Sequence, residues 1–268
     1  MNYRHAFHAG NFADCMKHAL LMSLLGLLTR KPTPLFVLDT HAGRGAYDLL
    51  AEGSRTGEWK EGIARLIPPP PPLAFFVGLV ERLGLYPGSP LLVRARLRPS
   101  DALACCELHP EDAASLRRRF RGDPTVAVHQ RDGYEAIGAL LPPPQRRGLV
   151  LIDPPFEQPN EFDRVLAALN EGARRFGHGV YAAWYPVKHR SPVTAFHDAV
   201  RGAGLRNVIA CELWLREPTD PGRLNGCGLL VRNPPFGFTE EAVPMLHALA
   251  RTLGEADGGS AITRLTDE

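Results

Sequence analysis

The chain has 268 residues, 44% of them apolar, and a formal net charge of +2; this suits one large domain or one domain with an insertion and does not by itself announce a nucleic-acid binder. The longest apolar run, near Ala19–Leu28, is broken by Ser23 and Gly26 and follows polar and charged residues, so it is neither a membrane span nor a secretory signal, and a cytoplasmic protein with no membrane partner is expected. The five cysteines, Cys15, Cys105, Cys106, Cys211 and Cys227, form no C-x-x-C pair, which disfavours a zinc ribbon or redox motif and suits reduced, buried thiols.

In chain order, Phe12–Leu28 reads as a helix on the recurrence of Met16, Leu20, Leu24 and Leu27, stopped by Pro32 and Pro34. Leu35–Asp39 is an apolar strand running into the glycine-bearing turn His41-Ala-Gly43-Arg-Gly45. Tyr47–Ser100 is far longer than a crossover needs. It is predicted to hold an inserted helical subdomain at approximately residues 50–95, with helices over Glu58–Ile67 and near Phe75–Leu83 and an extended proline run, Pro68–Pro72, between them. Strand Ala102–Glu107 ends in an acid; helix Asp112–Phe120, strand Thr125–His129 and helix Gly133–Leu141 follow. Strand Gly148–Ile152, helix Glu161–Phe176, strand Gly179–Trp184 and helix Val193–Ala203 come next. Val208–Leu215 and Gly228–Arg232 are strands joined by a polar loop, and the polar stretch Gly254–Glu268 has room for one edge strand.

Helices alternate with continuously apolar strands, the pattern of a parallel sheet covered on both faces. The last two strands lack a helix between them and should form an antiparallel hairpin. That is the α/β, Rossmann-like arrangement of S-adenosylmethionine (SAM)-dependent methyltransferases, here a single domain over residues 1–268 carrying the small helical insertion.

The strongest chemical signal is Asp153-Pro154-Pro155-Phe156, directly after the Gly148–Ile152 strand. The exocyclic amine of a nucleobase is a poor nucleophile, because its lone pair is conjugated into the ring. Acceptors for both N–H bonds favour a tetrahedral nitrogen with its lone pair aimed at the methyl group. The Asp153 carboxylate can accept one, and the Pro154 carbonyl, fixed by two prolines, the other. Phe156 offers a flat face to a flipped base, worth about 1–3 kcal/mol. A second tetrapeptide of the same type, Asn233-Pro234-Pro235-Phe236, lies downstream. Ligands of open α/β sheets sit beyond the carboxyl ends of the central parallel strands. Asp153 is therefore expected to face the methyl group, and Asn233, after a reversed strand, to lie away from it.

The Gly43 turn matches neither G-x-G-x-x-G nor G-x-x-x-x-G-K-[ST], which disfavours a nicotinamide dinucleotide or a nucleoside triphosphate and leaves SAM. Glu107 can accept from both ribose hydroxyls of an adenosyl group. Asp132, with Gly133, has the place to accept from the adenine amino group. Lys17 could neutralise the SAM carboxylate, and Tyr3 and Arg4 could reach RNA. His5, His8, His18 and His41 have no cysteine or carboxylate at zinc spacing, so no metal is expected. The basic runs Arg117–Arg119 with Arg121, Arg146–Arg147, Arg174–Arg175 and Lys188–Arg190 are either phosphate contacts or a reflection of base composition.

The stretches YRHAFHAGNFADCMKH, LDTHAGRGAYDL, RTGEWKEGIARL, YPGSP, ELHPED, RDGYEAI, RRGLVLIDPPFE and YAAWYPV resemble the bacterial RlmJ family, 23S ribosomal RNA adenine-N6 methyltransferases, through nearly the whole chain. The resemblance implies SAM contacts at Lys17, His18, His41, Ser89, Glu107, Asp132, Gly133 and Asp153, and catalysis at Asp153. It places Tyr3 on the substrate side, and Arg4 and His5 beside it are further candidates for contact with the RNA. Because the base must be extruded to reach Phe156, protein-free or partly assembled 23S rRNA is the expected partner, bound by a monomer. Phe156 stands where the family usually has tyrosine, which keeps the stacking face and loses a hydroxyl contact; Ala261–Glu268 lack the family's terminal tryptophan. Guanine-N2 methyltransferases of small-subunit rRNA also carry D-P-P-F, so an N2-guanine or N4-cytosine target is the alternative. A protein glutamine methyltransferase faces the same lone-pair problem but favours asparagine before the two prolines, and a non-enzymatic RNA-binding protein has no use for the tetrapeptide.

Overall fold

The computed structural model describes residues 7–51 and 56–268; Tyr3, Arg4 and His5 lie outside the described residues. Asn11 starts helix α1 (Phe12–Leu28), its side chain accepting the Asp14 N–H at 3.0 Å, as an N-cap should. The helix is buried on nearly every side rather than along one stripe, because it is sandwiched between the sheet and the helices outside it. Strand β1 (Leu35–Asp39) follows, then β2 (Ala46–Tyr47), helix α2 (Ala74–Leu83), β3 (Tyr86–Pro87), α3 (Ser89–Arg96) and β4 (Ala102–Cys106). Next come α4 (Pro110–Arg119), β5 (Val126–His129), α5 (Gly133–Leu140), β6 (Arg147–Ile152), α6 (Glu161–Arg175) and β7 (Val180–Val187). The chain closes with α7 (Arg190–Gly202), β8 (Val208–Trp214), β9 (Gly226–Arg232), α8 (Phe238–Leu253) and β10 (Gly259–Thr266).

One eight-stranded sheet has the order β10-β8-β9-β7-β6-β1-β4-β5. β5, β4, β1, β6 and β7 are parallel neighbours. β9 runs antiparallel to both β7 and β8, so the expected hairpin is present with its second strand turned inward. β10 adds antiparallel to β8 as the outer edge. Alternation along each strand feeds two cores. Leu35, Val37, Leu103, Cys105, Leu149 and Leu151 pack with α1, α3 and α8. Phe36, Leu38, Ala104, Cys106, Val150 and Ile152 pack with α5, α6 and α7. All five cysteines are free and buried. No single helix among the described residues is long and apolar enough to cross a membrane.

The chain leaves β1 to one side for β4 and crosses back to the other for β6. This opens a crevice at the carboxyl ends of β1, β4 and β6. Three helical segments differ from expectation. The helix foreseen over Glu58–Ile67 is two separate 3-10 turns, Glu58–Lys60 and Ile63–Leu66. Between them Gly62 lies against the Gly10 carbonyl, where a Cβ would collide, and Ile63 N–H donates to that same carbonyl at 2.9 Å; the tertiary contact replaces the helical bond. Helices α3 and α8 were not foreseen. Pro90 opens the first and Pro244 sits inside the second, and each hides a helical pattern behind a residue that reads as a breaker. The 3-10 turns and α2 share the α1 core through Leu66, Leu73, Phe76 and Val77.

Candidate active site

A single cavity of about 1020 Å³ occupies this crevice, with every site residue expected from Lys17 to Phe156 on its wall. Its centre is an ion-pair network. Lys17, on α1, places Nζ 2.6 Å from Asp153 Oδ2 and 2.9 Å from Asp14 Oδ1. All three side chains are shielded from solvent, Asp153 most exposed at 13%. Burial alone would lower the Lys17 pKa, but the Asp14 and Asp153 charges raise it well above the ordinary lysine value, so the ammonium persists. Asp14 also accepts the Gly10 N–H at 3.0 Å. The lysine expected to meet the cofactor carboxylate is thus engaged in holding Asp153.

At the end of β1, Asp39 is fully buried and pushed up to about 7 by burial, against the hydroxyl of Ser89 that donates to its Oδ2 at 2.7 Å. Ser89 itself lines the cavity and holds the buried Asp39 behind it. His41 follows; burial brings its pKa down to about 4. Its Nδ1 lies 2.7 Å from Thr40 Oγ1, and its ring meets Tyr134 edge-on. His18 pairs with the buried Tyr86 hydroxyl at 3.0 Å.

Glu107 ends the β4 segment. Its Oε2 accepts the Gly43 N–H at 2.8 Å and its Oε1 the His109 N–H at 2.7 Å. Burial raises its pKa while those two N–H groups oppose the rise. Each carboxylate oxygen keeps a second lone pair for a hydroxyl donor. Asp132 caps α5, accepting from Tyr134 and Glu135 N–H, and its other oxygen stands 3.5 Å from Arg164. Gly133 is required by packing: a Cβ there would strike the Thr40 carbonyl.

Asp153, Pro154 and Phe156 lie just past β6 on the cavity wall. Phe156 has φ 49°, a backbone conformation that is strained for a bulky residue and concentrates at functional sites. Its ring makes T-shaped contacts with Phe162 at 5.0 Å and Trp184 at 5.7 Å. Asn233 lies at the opposite end of the sheet, where Arg232 registers with Tyr181 at the start of β7. Its amide donates to the Gly177 and Gly179 carbonyls, and Phe236 stands 99% exposed. Asp14 and Trp184 are wall residues that the sequence reading missed. Asp14 was legible at three residues from Lys17 on one helix face, whereas nothing local marks Trp184. Among the described residues no group of His, Cys, Asp and Glu could hold a metal.

A cavity this size, at the upper end of the usual range of about 300–1,000 Å³ for small-molecule sites, has room for an adenosyl cofactor and a base together. Glu107 supplies the acceptor a ribose needs, and a carboxylate with a proline carbonyl beside it supplies the acceptors an amine needs. With the sheet order above, these features define a SAM-dependent methyltransferase.

A family profile described as "Ribosomal RNA large subunit methyltransferase D, RlmJ" matches residues 32–266, and the chain belongs to that family. It is 39% identical to "Ribosomal RNA large subunit methyltransferase J" of Haemophilus influenzae over 280 aligned positions, covering 100% of each chain. It is likewise 39% identical to the protein of that name from Escherichia coli, covering 92% of this chain and 93% of the other. A crystallised protein of Legionella pneumophila strain Philadelphia 1 superposes with a TM-score of 0.89 at 35% identity, over 96% of this chain and 98% of that one.

Proposed function

We propose that the protein transfers the SAM methyl group to N6 of an adenosine in 23S ribosomal RNA. The observation that carries this reading is the position of Asp153, fixed by Lys17 at 2.6 Å in the same cavity as Glu107 and the Gly43 turn. The two relatives above are named for large-subunit rRNA, which supports an RNA substrate.

SAM, when bound, supplies an electrophilic methyl group. Glu107 would hold its ribose, and the α5 terminus at Asp132 and the His41 ring would bound its adenine. The neutral imidazole of His41 would add no positive charge to a cavity that takes a cationic cofactor. Lys17 anchors one Asp153 oxygen and leaves the other to accept an N–H of the target amine, while the Pro154 carbonyl accepts the second N–H. Phe156, braced by Phe162 and Trp184, stacks on the base. After transfer the nitrogen is positively charged and sheds a proton, for which the Asp153 carboxylate is the adjacent acceptor. Extrusion is least costly from unpaired RNA, which favours protein-free or partly assembled rRNA, bound by one copy of the chain.

The test is methylation of protein-free rRNA from a strain lacking the gene, with labelled SAM and nucleoside analysis. N6-methyladenosine in 23S rRNA is expected. N2-methylguanosine, the product that Phe156 in place of tyrosine keeps in view, would refute the adenine assignment.

A further inference from the structure

The basic runs sort by their place in the fold. Arg146–Arg147 sit where β6 begins, at the amino end of the sheet. Arg117–Arg119 close α4 and Arg174–Arg175 close α6; both helices run back from the carboxyl ends of the strands, so these runs lie at that same far end. Several are also engaged. Arg174 and Arg175 pair with Glu171, and Arg147 donates to the Leu28 and Thr33 carbonyls. Of the four runs, only Lys188–Arg190 follows the carboxyl end of a parallel strand, and Lys188 lines the cavity.

Past Phe156 the cavity continues along β7. Trp184 and Pro186, at alternate positions of β7 that share one face, and Lys188 just past its end all line it. The β8–β9 loop adds Arg216, Arg223 and Leu224 to the same wall. Asn225, fully buried, ties the two loops together. Its amide donates to the Lys188 and Asp220 carbonyls, each at 2.7 Å, and its own N–H donates to Val187 O at 3.1 Å. Cations and carboxylates both stand on this lobe. Arg216 is held by Glu255, and nearby Arg190 by Glu217. The Asp220 carboxylate accepts the Gly222 N–H. Lys188 and Arg223 are exposed on the cavity wall, and the Arg223 charge also reaches Glu255, which Arg216 holds.

We propose that Lys188 and Arg223 form a docking edge for the sugar-phosphate backbone of RNA next to the extruded nucleotide. The proposal rests on the reading that Phe156 receives a base. A nucleotide rotated out of its stack brings its flanking phosphates to the mouth of the pocket. Phosphate contacts set the register of the nucleic acid without reading its sequence. Exposed cations on a preset loop pair meet that need, while the Arg216–Glu255 pair stiffens the loop behind them.

The experiment compares wild type, Lys188→Ala/Arg223→Ala, the charge-reversed Lys188→Glu/Arg223→Glu, and a control Arg117→Ala/Arg118→Ala. Affinity for an in vitro transcribed 23S rRNA fragment is measured against salt concentration, with SAM affinity by calorimetry as the check on folding. The alanine pair should weaken RNA binding by about tenfold or more and flatten the log–log salt slope by roughly 1.4, about 0.7 for each lost single-strand phosphate contact. Charge reversal should weaken it further, and the control should match wild type. RNA binding and slope unchanged in the alanine pair would overturn the docking edge alone, as would an equal loss in the control. A wild-type enzyme that binds SAM but no RNA would overturn both this proposal and the functional reading. A loss seen only on protein-containing ribosomal particles would show a protein partner and overturn the RNA assignment.

Discussion

Lys17→Met tests the core of the site, because it removes a buried cation while keeping the length of the side chain. Lys17 is 5% exposed and touches Asp153 and Asp14, themselves 13% and 3% exposed. Removing one partner of a buried ion pair leaves uncompensated charge and costs about 3–5 kcal/mol. Against a typical total stability of about 5–15 kcal/mol, the variant should still fold at low temperature, with a much lower urea midpoint. In wild type the Lys17 pKa is raised above its unfolded value, so its stabilisation is complete below about pH 10.4 and fades only as pH rises through the folded value. Activity should fall more than folding predicts, because Asp153 is no longer held: roughly 100-fold in kcat is the scale of a misplaced catalytic group, with the KM for SAM moving less. Asp14→Asn/Lys17→Met should recover part of the stability, since one orphaned charge is gone, and none of the activity. Urea titrations at several pH values and single-turnover assays decide it. A Lys17→Met enzyme within about 1 kcal/mol of wild type, on the scale of an exposed pair, and with normal turnover would refute the role given to this network.

Asp153→Ala should abolish methyl transfer in a folded protein, while Asn233→Ala should keep turnover within a few-fold and lose about 0.5–3 kcal/mol of stability; single-turnover assays with circular dichroism test both, and a folded but inactive Asn233→Ala enzyme would refute the site. Glu107→Ala should weaken SAM binding by about 1.5–3 kcal/mol, the scale of a lost charged hydrogen bond, and unchanged calorimetric affinity would remove Glu107 from the ribose site. Gly133→Ala should destabilise by about 1–3 kcal/mol, as overpacking does, because its Cβ would meet the Thr40 carbonyl; an unshifted melting temperature would show that β1 and α5 can move apart.

Much of the fold was readable locally. The strands at Leu35–Asp39, Ala102–Cys106 and Arg147–Ile152 are buried on both faces, and so appear as unbroken apolar runs bounded by turn residues. The same locality exposed Asp153-Pro154-Pro155-Phe156 and the acid at Glu107, because a strand-ending motif carries its context beside it. Helices α3 and α8 were hidden, since proline obscures a pattern that tertiary packing sustains. The Glu58–Ile67 segment was read as one helix because its contact with Gly10 is invisible to periodicity.

The sequence by itself determined the alternating α/β class, the glycine turn after the first strand and the chemistry of the tetrapeptide, all properties of neighbouring residues. Tertiary structure decided which groups meet. Lys17 and Asp153 are 136 residues apart, and only the position of α1 against the sheet turns a lysine near the N-terminus into the anchor of a carboxylate after β6. Strand direction, a property of the whole sheet, put Asn233 at the far end and left Asp153 in the cavity. It likewise sent three arginine runs away from the site and left Lys188 at its mouth. Charge and motif are written residue by residue, but electrostatic and hydrogen-bonding interactions depend on distance, and distance between remote segments exists only once the chain has packed.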